Sequence, residues 1–567
     1  MSATSQDGPP QGRGRLGNLV VLALVCSGLG MLYKGLDGAT RVPIGVPDPI
    51  SLPEIDGIRR PALGPVEPGA GVFTATAPST AAAAAAGAVC PGCDVVLITV
   101  CSLRRDHLGA YGFDGEISPA VDRLADRGVR FNRAYAASNF TLASLTAILT
   151  GRYGSATGVT GWDKGLTADV PTLAEVLGNY GYKTGGFTTD APSGFRPDYG
   201  LDRGFQHMEI TPAPRNSPDG RHRGGKKEPL GSVARPPIDW LAKQPTDGPV
   251  FLMMHTRTAH FPFVVDSPET DPTGMLDLLW RAGQAEAKDR GVQAMPGMAG
   301  GTAQKGVVEI QREDPLQARV NALGAPAMAV WSSAYAEAVR RMDEDVELLL
   351  GAIKARGRPT VVVLVADHGE SLGDHGELLH GDAFFDGVIN VPLIFSVTGL
   401  EGRAGTRDMV VSQTDILPTI LQLVGAVTPA GVDGVSLVPQ LKGASTPAHA
   451  VVLSEGGVAR LENGVLPGAV VSDPWILLKQ RRGCGQSVNA GPGLMDEGMP
   501  VCLFNMESDP VQNQSVAGNN PDVVADLLER WKGFQSAHGR SGQKRELSAA
   551  FIEELQRSGY DFSTGAP

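Results

Sequence analysis

The apolar run from Val361 to Val365, most of it β-branched, is the feature that most constrains the fold of this chain. A strand with no polar residue in either alternating set is typical of a parallel sheet that is covered on both faces. The run ends in Asp367 and His368, and Gly369 then allows a turn without steric cost. Open α/β sheets place ligands at the carboxyl ends of their strands, so the pattern predicts a functional site here.

Two further segments end in residues that can carry chemistry. Residues 95–100 and 250–254 are apolar strand candidates, and Cys101 and His255 follow them directly. Because the carboxyl ends of parallel strands meet at one edge of a sheet, we expect these side chains and Asp367 to share one polar site. Asp and His together are also a ligand pair for a divalent metal.

The loop after His368 repeats this chemistry, since Asp374, His375 and His380 follow within a few residues and are interleaved with glycine. One interpretation is a ligand-binding loop. The alternative is a strand end followed by an ordinary solvated polar loop. The repeated His-Gly pairs favour the ligand-binding loop.

Composition bounds the class of protein. The chain has 567 residues, enough for one large α/β domain and smaller pieces. Its net charge of −12 argues against nucleic acid as a partner. Few aromatic residues and many glycines and prolines indicate long and numerous loops.

The N-terminus carries a candidate membrane segment, because Leu16–Tyr33 is apolar and follows Arg13 and Arg15. The length fits a membrane span as well as a secretory signal, and the arginines keep the N-terminus in the cytoplasm. We expect an uncleaved anchor with most of the chain outside the cytoplasm, periplasmic or extracellular. The alternative is a cleaved signal and a secreted product. The predicted organisation is a cytoplasmic N-terminus (1–15), an anchor or signal (16–35), a Pro/Ala-rich linker (36–93), a main α/β domain (94–449, with an insertion at about 266–325), a C-terminal subdomain (450–537) and a tail (538–567).

Four of the six cysteines fall into two close pairs, Cys90 with Cys93 and Cys484 with Cys502. In an oxidising compartment both pairs are candidate disulfides. A zinc site built on the first pair would lack a second Cys-x-x-Cys. Cys101 stays outside this pairing.

Helices are predicted at 119–127, 173–177, 335–353, 415–423 and 522–531. A further helix is expected from Thr141, where small and apolar residues recur up to Leu149. A threonine at a helix N-terminus is most often only a cap, and this is the alternative to any chemical role for Thr141.

Together these segments resemble the sulfatase family of the alkaline-phosphatase superfamily, over roughly residues 94–535. The most specific motifs are Asp-His-Gly-Glu-x-x-Gly-Asp-His-Gly from Asp367 and the Leu-Thr-Gly that ends at Gly151. The resemblance implies an α/β fold with a mixed central sheet flanked by helices and a smaller C-terminal antiparallel sheet and helix. It also implies hydrolysis of sulfate esters, or of phosphate esters as in relatives, by a divalent metal set against a nucleophile on a helix N-terminus.

The resemblance gives roles to individual residues. Thr141 matches the nucleophile, and Asp367 and His368 match metal ligands. His260 matches the histidine before proline that contacts the substrate or leaving group. His380 falls where family members carry a Lys or His that contacts the transferred group.

Three positions depart from the family pattern. Cys101 stands where the family has a carboxylate ligand, and Ala143 and Leu145 replace the Pro and Arg of the nucleophile segment. The apolar Leu145 cannot replace a bidentate anion donor. If Cys101 is a ligand, the donor set favours zinc over calcium or magnesium; the alternative is a small buried residue left where a ligand was lost.

The nucleophile position departs in a further way. Family sulfatases convert their Cys or Ser to formylglycine, an aldehyde that Thr141 cannot form. Threonine is, however, the nucleophile of related enzymes that transfer phospho-groups.

The predicted function is therefore that of a membrane-anchored, metal-dependent hydrolase acting outside the cytoplasm. Its substrate would be a sulfate or phosphate ester of a small molecule, glycan or lipid, and its cofactor one divalent ion, zinc, manganese or calcium. Two alternatives remain: a catalytically inactive binding protein with the same fold, and a transferase that moves a phospho-group by way of Thr141.

Overall fold

The computed structural model describes residues 87–189, 194–211, 231–261, 263, 325–456, 466–480, 483–484, 494–540, 542–545 and 547–548. Within these ranges, no helix combines the length and apolar character needed to cross a membrane. The predicted anchor or signal at 16–35, nearly all of the linker, and almost all of the insertion lie outside the described residues.

Strands alternate with helices along most of the described chain. The strands are β1 (Asp94–Val100), β2 (Val129–Tyr135), β3 (Lys164–Gly165), β4 (Lys183–Thr189), β5 (His207–Thr211), β6 (Val250–Thr256), β7 (Thr360–Ala366), β8 (Ser371–Leu372), β9 (Leu378–Leu379), β10 (Asn390–Val397), β11 (Gly405–Ser412), β12 (Val452–Glu455), β13 (Gly468–Ser472), β14 (Trp475–Lys479), β15 (Leu494–Asp496), β16 (Met499–Asn505) and β17 (Gln543–Lys544). The α-helices are α1 (Pro119–Arg127), α2 (Thr141–Thr150), α3 (Gly154–Thr157), α4 (Leu173–Asn179), α5 (Arg235–Ala242), α6 (Ala325–Arg356), α7 (Asp386–Ile389), α8 (Ile416–Val424), α9 (Val438–Leu441) and α10 (Pro521–His538).

An eight-stranded mixed sheet forms the centre, in the order β11-β2-β10-β7-β1-β6-β4-β5. Strand β1 pairs in parallel with β6 on one side and β7 on the other, and Val100 is opposite both Thr256 and Ala366. Strand β10 runs antiparallel to β7 and β2. This register brings the ends of the three predicted strands to one edge of the sheet, as expected from their sequence.

The long helix α6 packs against helices α1 and α5. It begins ten residues before the predicted start, and its stripe of Val339, Met342, Val346 and Leu349 is buried, as the periodicity predicts. Its polar face also carries a buried carboxylate, that of Asp343. This carboxylate accepts hydrogen bonds from the first backbone N–H groups of α1 and so caps that helix. Helix α5 was not predicted from the sequence; its two prolines look like breakers, but they stand in the first turn, where proline is tolerated.

The C-terminal part confirms the smaller antiparallel sheet and helix. Its strands are ordered β12-β13-β14-β16-β15, and α10 covers them with the buried Val524, Leu527 and Trp531. Both predicted disulfides, Cys90–Cys93 and Cys484–Cys502, are formed. The fold class is therefore the predicted one.

Candidate active site

The ends of β1, β6 and β7 form one buried cluster. Potential ligand atoms of Cys101, His255 and Asp367 all lie within 4.8 Å of one another, and all three residues are buried. The prediction that the three strands share one polar site is confirmed. His255 lies inside β6 rather than after it, since that strand continues to Thr256.

Backbone groups fix Asp367 at the centre of the cluster. Its Oδ1 accepts hydrogen bonds from Ser102 N at 3.2 Å and from His368 N at 2.7 Å. Ser102 has a φ of 60°, a left-handed conformation that a serine adopts at some cost. The other oxygen, Oδ2, is buried and has no hydrogen-bond partner among the described residues. One carboxylate oxygen is thus tied down while the second stays available for a ligand.

His255 has the same division between its two nitrogens. Nδ1 lies 2.9 Å from Thr99 Oγ1, whose hydroxyl donates to the Met254 carbonyl at 3.4 Å. The hydroxyl therefore accepts from Nδ1–H, which leaves the lone pair on Nε2. Nε2 is buried and has no hydrogen-bond partner among the described residues. A histidine that donates through one nitrogen and offers a lone pair on the other is typical of a metal ligand.

Thr141 is the first residue of α2, and the position before it, Phe140, makes no side-chain cap. The Thr141 hydroxyl instead lies 3.2 Å from His368 Nε2 and 3.4 Å from Cys101 Sγ. The capping interpretation of Thr141 is therefore wrong, because the side chain points into the cluster. The helix N-terminus also directs its partial positive charge toward this point, which favours an anion.

His368 connects the nucleophile candidate to the metal-ligand candidates. Its Nδ1 donates to the Gly369 carbonyl at 2.8 Å, so the lone pair of Nε2 faces Thr141. The same Nε2 lies 3.6 Å from Asp367 Oδ2 and 3.9 Å from Cys101 Sγ.

Burial sets the protonation of the cluster. It lowers the pKa of His255 and of His368 to about 4 and raises the pKa of the Cys101 thiol well above its ordinary value. Burial acts to raise the pKa of Asp367 as well, but the charges of His368 and His255 hold it below its ordinary value. Neutral imidazoles beside an ionised carboxylate are the forms that bind a cation.

A second layer of the site contains two further histidines. His380 Nδ1 lies 2.9 Å from Glu370 Oε1, and its ring centroid is 4.1 Å from that of His368. His260 packs edge-on against His380 with ring centroids 4.9 Å apart. Burial raises the pKa of Glu370 to about 8 and lowers that of His380 to about 3.

Both ring nitrogens of His260 are engaged. Nδ1 contacts the Phe261 carbonyl, and Nε2 accepts from Arg257 Nη2 at 2.9 Å. Arg257 and Glu370 also lie at the site and were not predicted from the sequence. Glu370 stands within the Asp-His-Gly-Glu motif, so its position carried a signal, whereas Arg257 is one arginine after a strand.

Other residues of the same motifs lie elsewhere. Asp374 pairs with Arg104, and His375 stacks on Phe385 with ring centroids 3.8 Å apart. Asp106 also pairs with Arg104, at 2.6 Å. The segment after His368 is therefore only partly a ligand loop, and it contributes Glu370 and His380 to the site.

The three positions that depart from the family pattern have different surroundings in the structure. Ala143 and Leu145 are buried in the hydrophobic core, so neither faces an anion. Cys101 is the free cysteine among the described residues and lies in the cluster itself.

A divalent metal fits these residues. The donors include a thiol sulfur, two imidazole nitrogens and a carboxylate oxygen, two of them buried atoms with no hydrogen-bond partner among the described residues. Sulfur and imidazole nitrogen suit zinc better than calcium, which takes oxygen ligands.

Two buried side chains outside the cluster hold the backbone that carries it. Gln413 Nε2 donates to the carbonyls of Ala366 and Asp367, both at 2.7 Å, while its Oε1 accepts from Ala137 N at 2.9 Å. It thereby ties the end of β7 to the segment before α2. Tyr335 of α6 donates to the Ser102 carbonyl at 2.7 Å and holds the turn after β1.

Comparison with known proteins decides the family. The sulfatase family model matches residues 94–426, which is more than half of the chain. The chain belongs to the sulfatase family. This family consists of sulfuric ester hydrolases, so the predicted family and enzyme class are confirmed.

Curated relatives include sulfatases, and solved structures share the fold of this chain. A Delta 4,5-hexuronate-2-O-sulfatase of Bacteroides thetaiotaomicron is 25% identical over 401 residues, covering 66% of this chain and 77% of the relative. An N-acetylglucosamine-6-O-sulfatase of the same organism is 22% identical over 408 residues, covering 61% and 71%. The structure of a phosphonate monoester hydrolase from Agrobacterium radiobacter shares the fold, with a TM-score of 0.56, 20% identity, and coverage of 79% of this chain and 96% of that one.

Proposed function

We propose that this sulfatase-family chain is a metal-dependent hydrolase of sulfate esters that uses Thr141 as its nucleophile. The observation that carries the proposal is the position of the Thr141 hydroxyl, which starts a buried helix and lies 3.2 Å from His368 Nε2. Cys101, Asp367 and His368 would hold the metal ion. His255, with its buried Nε2, is an additional ligand that the sequence did not assign.

The nucleophilic step needs an activated hydroxyl, because threonine is a weak nucleophile when free. A bound divalent ion would supply this activation by lowering the pKa of a nearby hydroxyl and by neutralising negative charge. Thr141 Oγ1, whose proton is released to solvent once its pKa is lowered, then attacks the sulfur, and the bond from sulfur to the bridging oxygen breaks. Water attacks the sulfur of the resulting threonine sulfate ester, the bond from sulfur to Oγ1 breaks, and sulfate leaves while a proton from the water returns to Thr141.

The leaving alcohol needs a proton, and His380 is the proposed donor. Because the pKa of Glu370 is about 8, the Glu370–His380 pair keeps a proton at neutral pH. His380 would give a proton to the leaving oxygen while it takes one from Glu370 on Nδ1. His260 suits this role less well, since both of its ring nitrogens are already engaged.

The substrate class and the location extend the proposal. The curated relatives carry names that refer to sulfated sugars, which makes a sulfated glycan or a related small molecule the first substrate class to test. A catalytic domain outside the cytoplasm is supported by the two disulfides. Anchoring by residues 16–35 is proposed from the apolar sequence of that segment.

The test uses the full-length chain in detergent, stripped of metal and then supplied with zinc, manganese or calcium in turn. Turnover of an aryl sulfate and an aryl phosphate is measured for the wild type and for Thr141→Ala. Thr146→Ala is the matched control, because Thr146 is buried on the same helix and its hydroxyl donates to the Leu142 carbonyl. We expect Thr141→Ala to lose more than about 1,000-fold in turnover, as for other nucleophiles.

Two results would contradict the proposal. Equal turnover of Thr141→Ala and Thr146→Ala would remove Thr141 from the chemistry. Absence of turnover with every ion and both esters would favour the inactive binding protein, which the buried Leu145 and the protonated thiol of Cys101 also favour.

A phosphate ester is the second candidate substrate. Thr141 cannot become formylglycine, and a phosphonate monoester hydrolase shares this fold. A preference for the aryl phosphate over the aryl sulfate in the same assay would select this candidate.

A further inference from the structure

Arg257 is a half-buried cationic side chain that contacts His260 of the candidate site. It follows β6 directly, and its backbone N–H donates to Thr189 Oγ1 at the end of β4, at 3.1 Å. Since β4 and β6 are parallel neighbours, this contact fixes Arg257 at the same sheet edge as His255 and Cys101.

The guanidinium group of Arg257 has no carboxylate partner among the described residues. Its Nη2 lies 2.9 Å from His260 Nε2, and its Nε is buried and makes no hydrogen bond with the described residues. Arg104 and Arg356, by contrast, pair with carboxylates, Arg104 with Asp106 at 2.6 Å and Arg356 with Asp94 at 2.7 Å. A partly buried guanidinium without a counter-charge is costly, so such a group is expected where an anion binds.

A short path of contacts connects this guanidinium to the nucleophile. The rings of His260 and His380 are 4.9 Å apart, those of His380 and His368 are 4.1 Å apart, and His368 Nε2 reaches Thr141 Oγ1 at 3.2 Å.

We propose that Arg257 binds an oxygen of the sulfuryl or phosphoryl group that is transferred to Thr141. It would supply the anion donor that the nucleophile helix lacks, since Leu145 is buried in the core. The planar guanidinium offers several donors to a tetrahedral oxyanion, and the contact with His260 orients it. This inference rests on the proposed function, because it assigns a substrate contact within the same site.

The test measures binding of inorganic sulfate and of inorganic phosphate to the full-length protein by calorimetry. The variants are Arg257→Gln and Arg257→Lys, and the control is Arg235→Gln, which removes an exposed arginine that pairs with Asp239 on α5. We expect Arg257→Gln to weaken binding of the oxyanion by at least about tenfold, the usual loss for a hydrogen bond to a charged group. Arg257→Lys keeps the charge and should lose less, while Arg235→Gln should bind as the wild type does.

Unchanged oxyanion affinity in Arg257→Gln, with a thermal melting temperature equal to that of the wild type, would overturn the inference, as would a wild type that binds neither anion. A change in turnover without any change in oxyanion affinity would also overturn it and would reduce Arg257 to a positioning residue for His260. The experiment distinguishes a failure of the Arg257 proposal from a failure of the proposed hydrolase function. Loss of oxyanion binding in a protein without turnover would uphold Arg257 and refute the hydrolase, whereas turnover that depends on Thr141 but not on Arg257 would do the reverse.

Discussion

Cys101 would determine which metal the proposed site prefers. It contributes the sulfur of a cluster whose other donors are imidazole nitrogen and carboxylate oxygen, and its thiol lies 3.4 Å from the Thr141 hydroxyl. A bound cation would hold the sulfur as thiolate despite the burial that raises its pKa. Under the proposed function, cysteine in place of the family's carboxylate would be a change of ligand type within the same cluster.

Replacing this sulfur should change metal selectivity. We expect Cys101→Ala to weaken zinc binding by more than about 100-fold, because even outer-shell changes cost up to that factor. Cys101→Asp should shift preference from zinc toward calcium or manganese, since the new ligand is a hard oxygen. Equilibrium dialysis with metal analysis measures both. Zinc affinity that stays the same in Cys101→Ala would show that the thiol is only a buried side chain.

At the level of elements, the site depends on two segments that are far apart in sequence, β7 with its following residues and the N-terminus of α2. The Gln413 side chain joins them through three hydrogen bonds to backbone groups. It donates to the carbonyls of Ala366 and Asp367 and accepts from the N–H of Ala137. The geometry of Thr141 against His368 follows from this junction.

Gln413→Leu should therefore lower the free energy of unfolding by about 2–5 kcal/mol, because it leaves several buried backbone groups without partners. Chemical denaturation measures the loss. Gln422→Leu, on the half-exposed side of α8, is the matched control and should change stability little. A Gln413→Leu variant as stable as the control would mean that the three bonds contribute nothing net.

A second junction makes stability depend on pH. His449 Nε2 lies 2.7 Å from Asp415 Oδ1, and Asp415 also accepts from Ser412 N and Val435 N. Burial acts to lower the pKa of His449, but its hydrogen bond with Asp415 and the charge of that carboxylate raise it above the ordinary value of 6.5. The stabilisation from this raised pKa is fully present below pH 6.5 and is lost as pH rises through the folded-state pKa.

His449→Gln should accordingly reduce stability most at acidic to neutral pH. Denaturant unfolding at several pH values measures the difference from the wild type, which should shrink as the pH becomes alkaline. A difference that stays constant or grows with pH would contradict the assigned direction of the shift.

The sequence predicted the elements better than it predicted their contacts. Strands β1, β6 and β7 were recognisable because a strand buried on both faces is a nearly continuous apolar run, and their shared edge followed from parallel pairing. The 3.2 Å contact of Thr141 with His368 could not be predicted from pattern, since it depends on the packing of α2 against the sheet. Arg257 was missed for a related reason, because one arginine after a strand has no periodicity to set it apart.

At the scale of the whole molecule, the pairing of the cysteines indicates the redox environment in which the chain folds. Two disulfides hold the start of the α/β domain and the C-terminal sheet, and Cys101 is buried and free. Intracellular reducing conditions would oppose both bonds. The arrangement agrees with the proposed location outside the cytoplasm.

Thiol labelling tests this directly. In the unfolded but unreduced chain isolated from its native host, alkylation should occur only at Cys26 and Cys101, and after reduction at all six cysteines. Peptide mass spectrometry identifies the labelled sites. Alkylation of Cys484 or Cys502 before reduction would contradict an oxidised, exported domain.

Under the proposed function, Thr141 forms the covalent intermediate. The most direct measurement is rapid acid quenching of the metal-loaded, full-length enzyme during turnover of an aryl sulfate, followed by mass spectrometry of its peptides. We predict that the peptide with Thr141 gains the mass of one sulfuryl group, and that the Thr141→Ala variant shows no such gain while Thr146→Ala does. Turnover without any modification of Thr141, or with the group on the neighbouring Cys101 instead, would contradict the account.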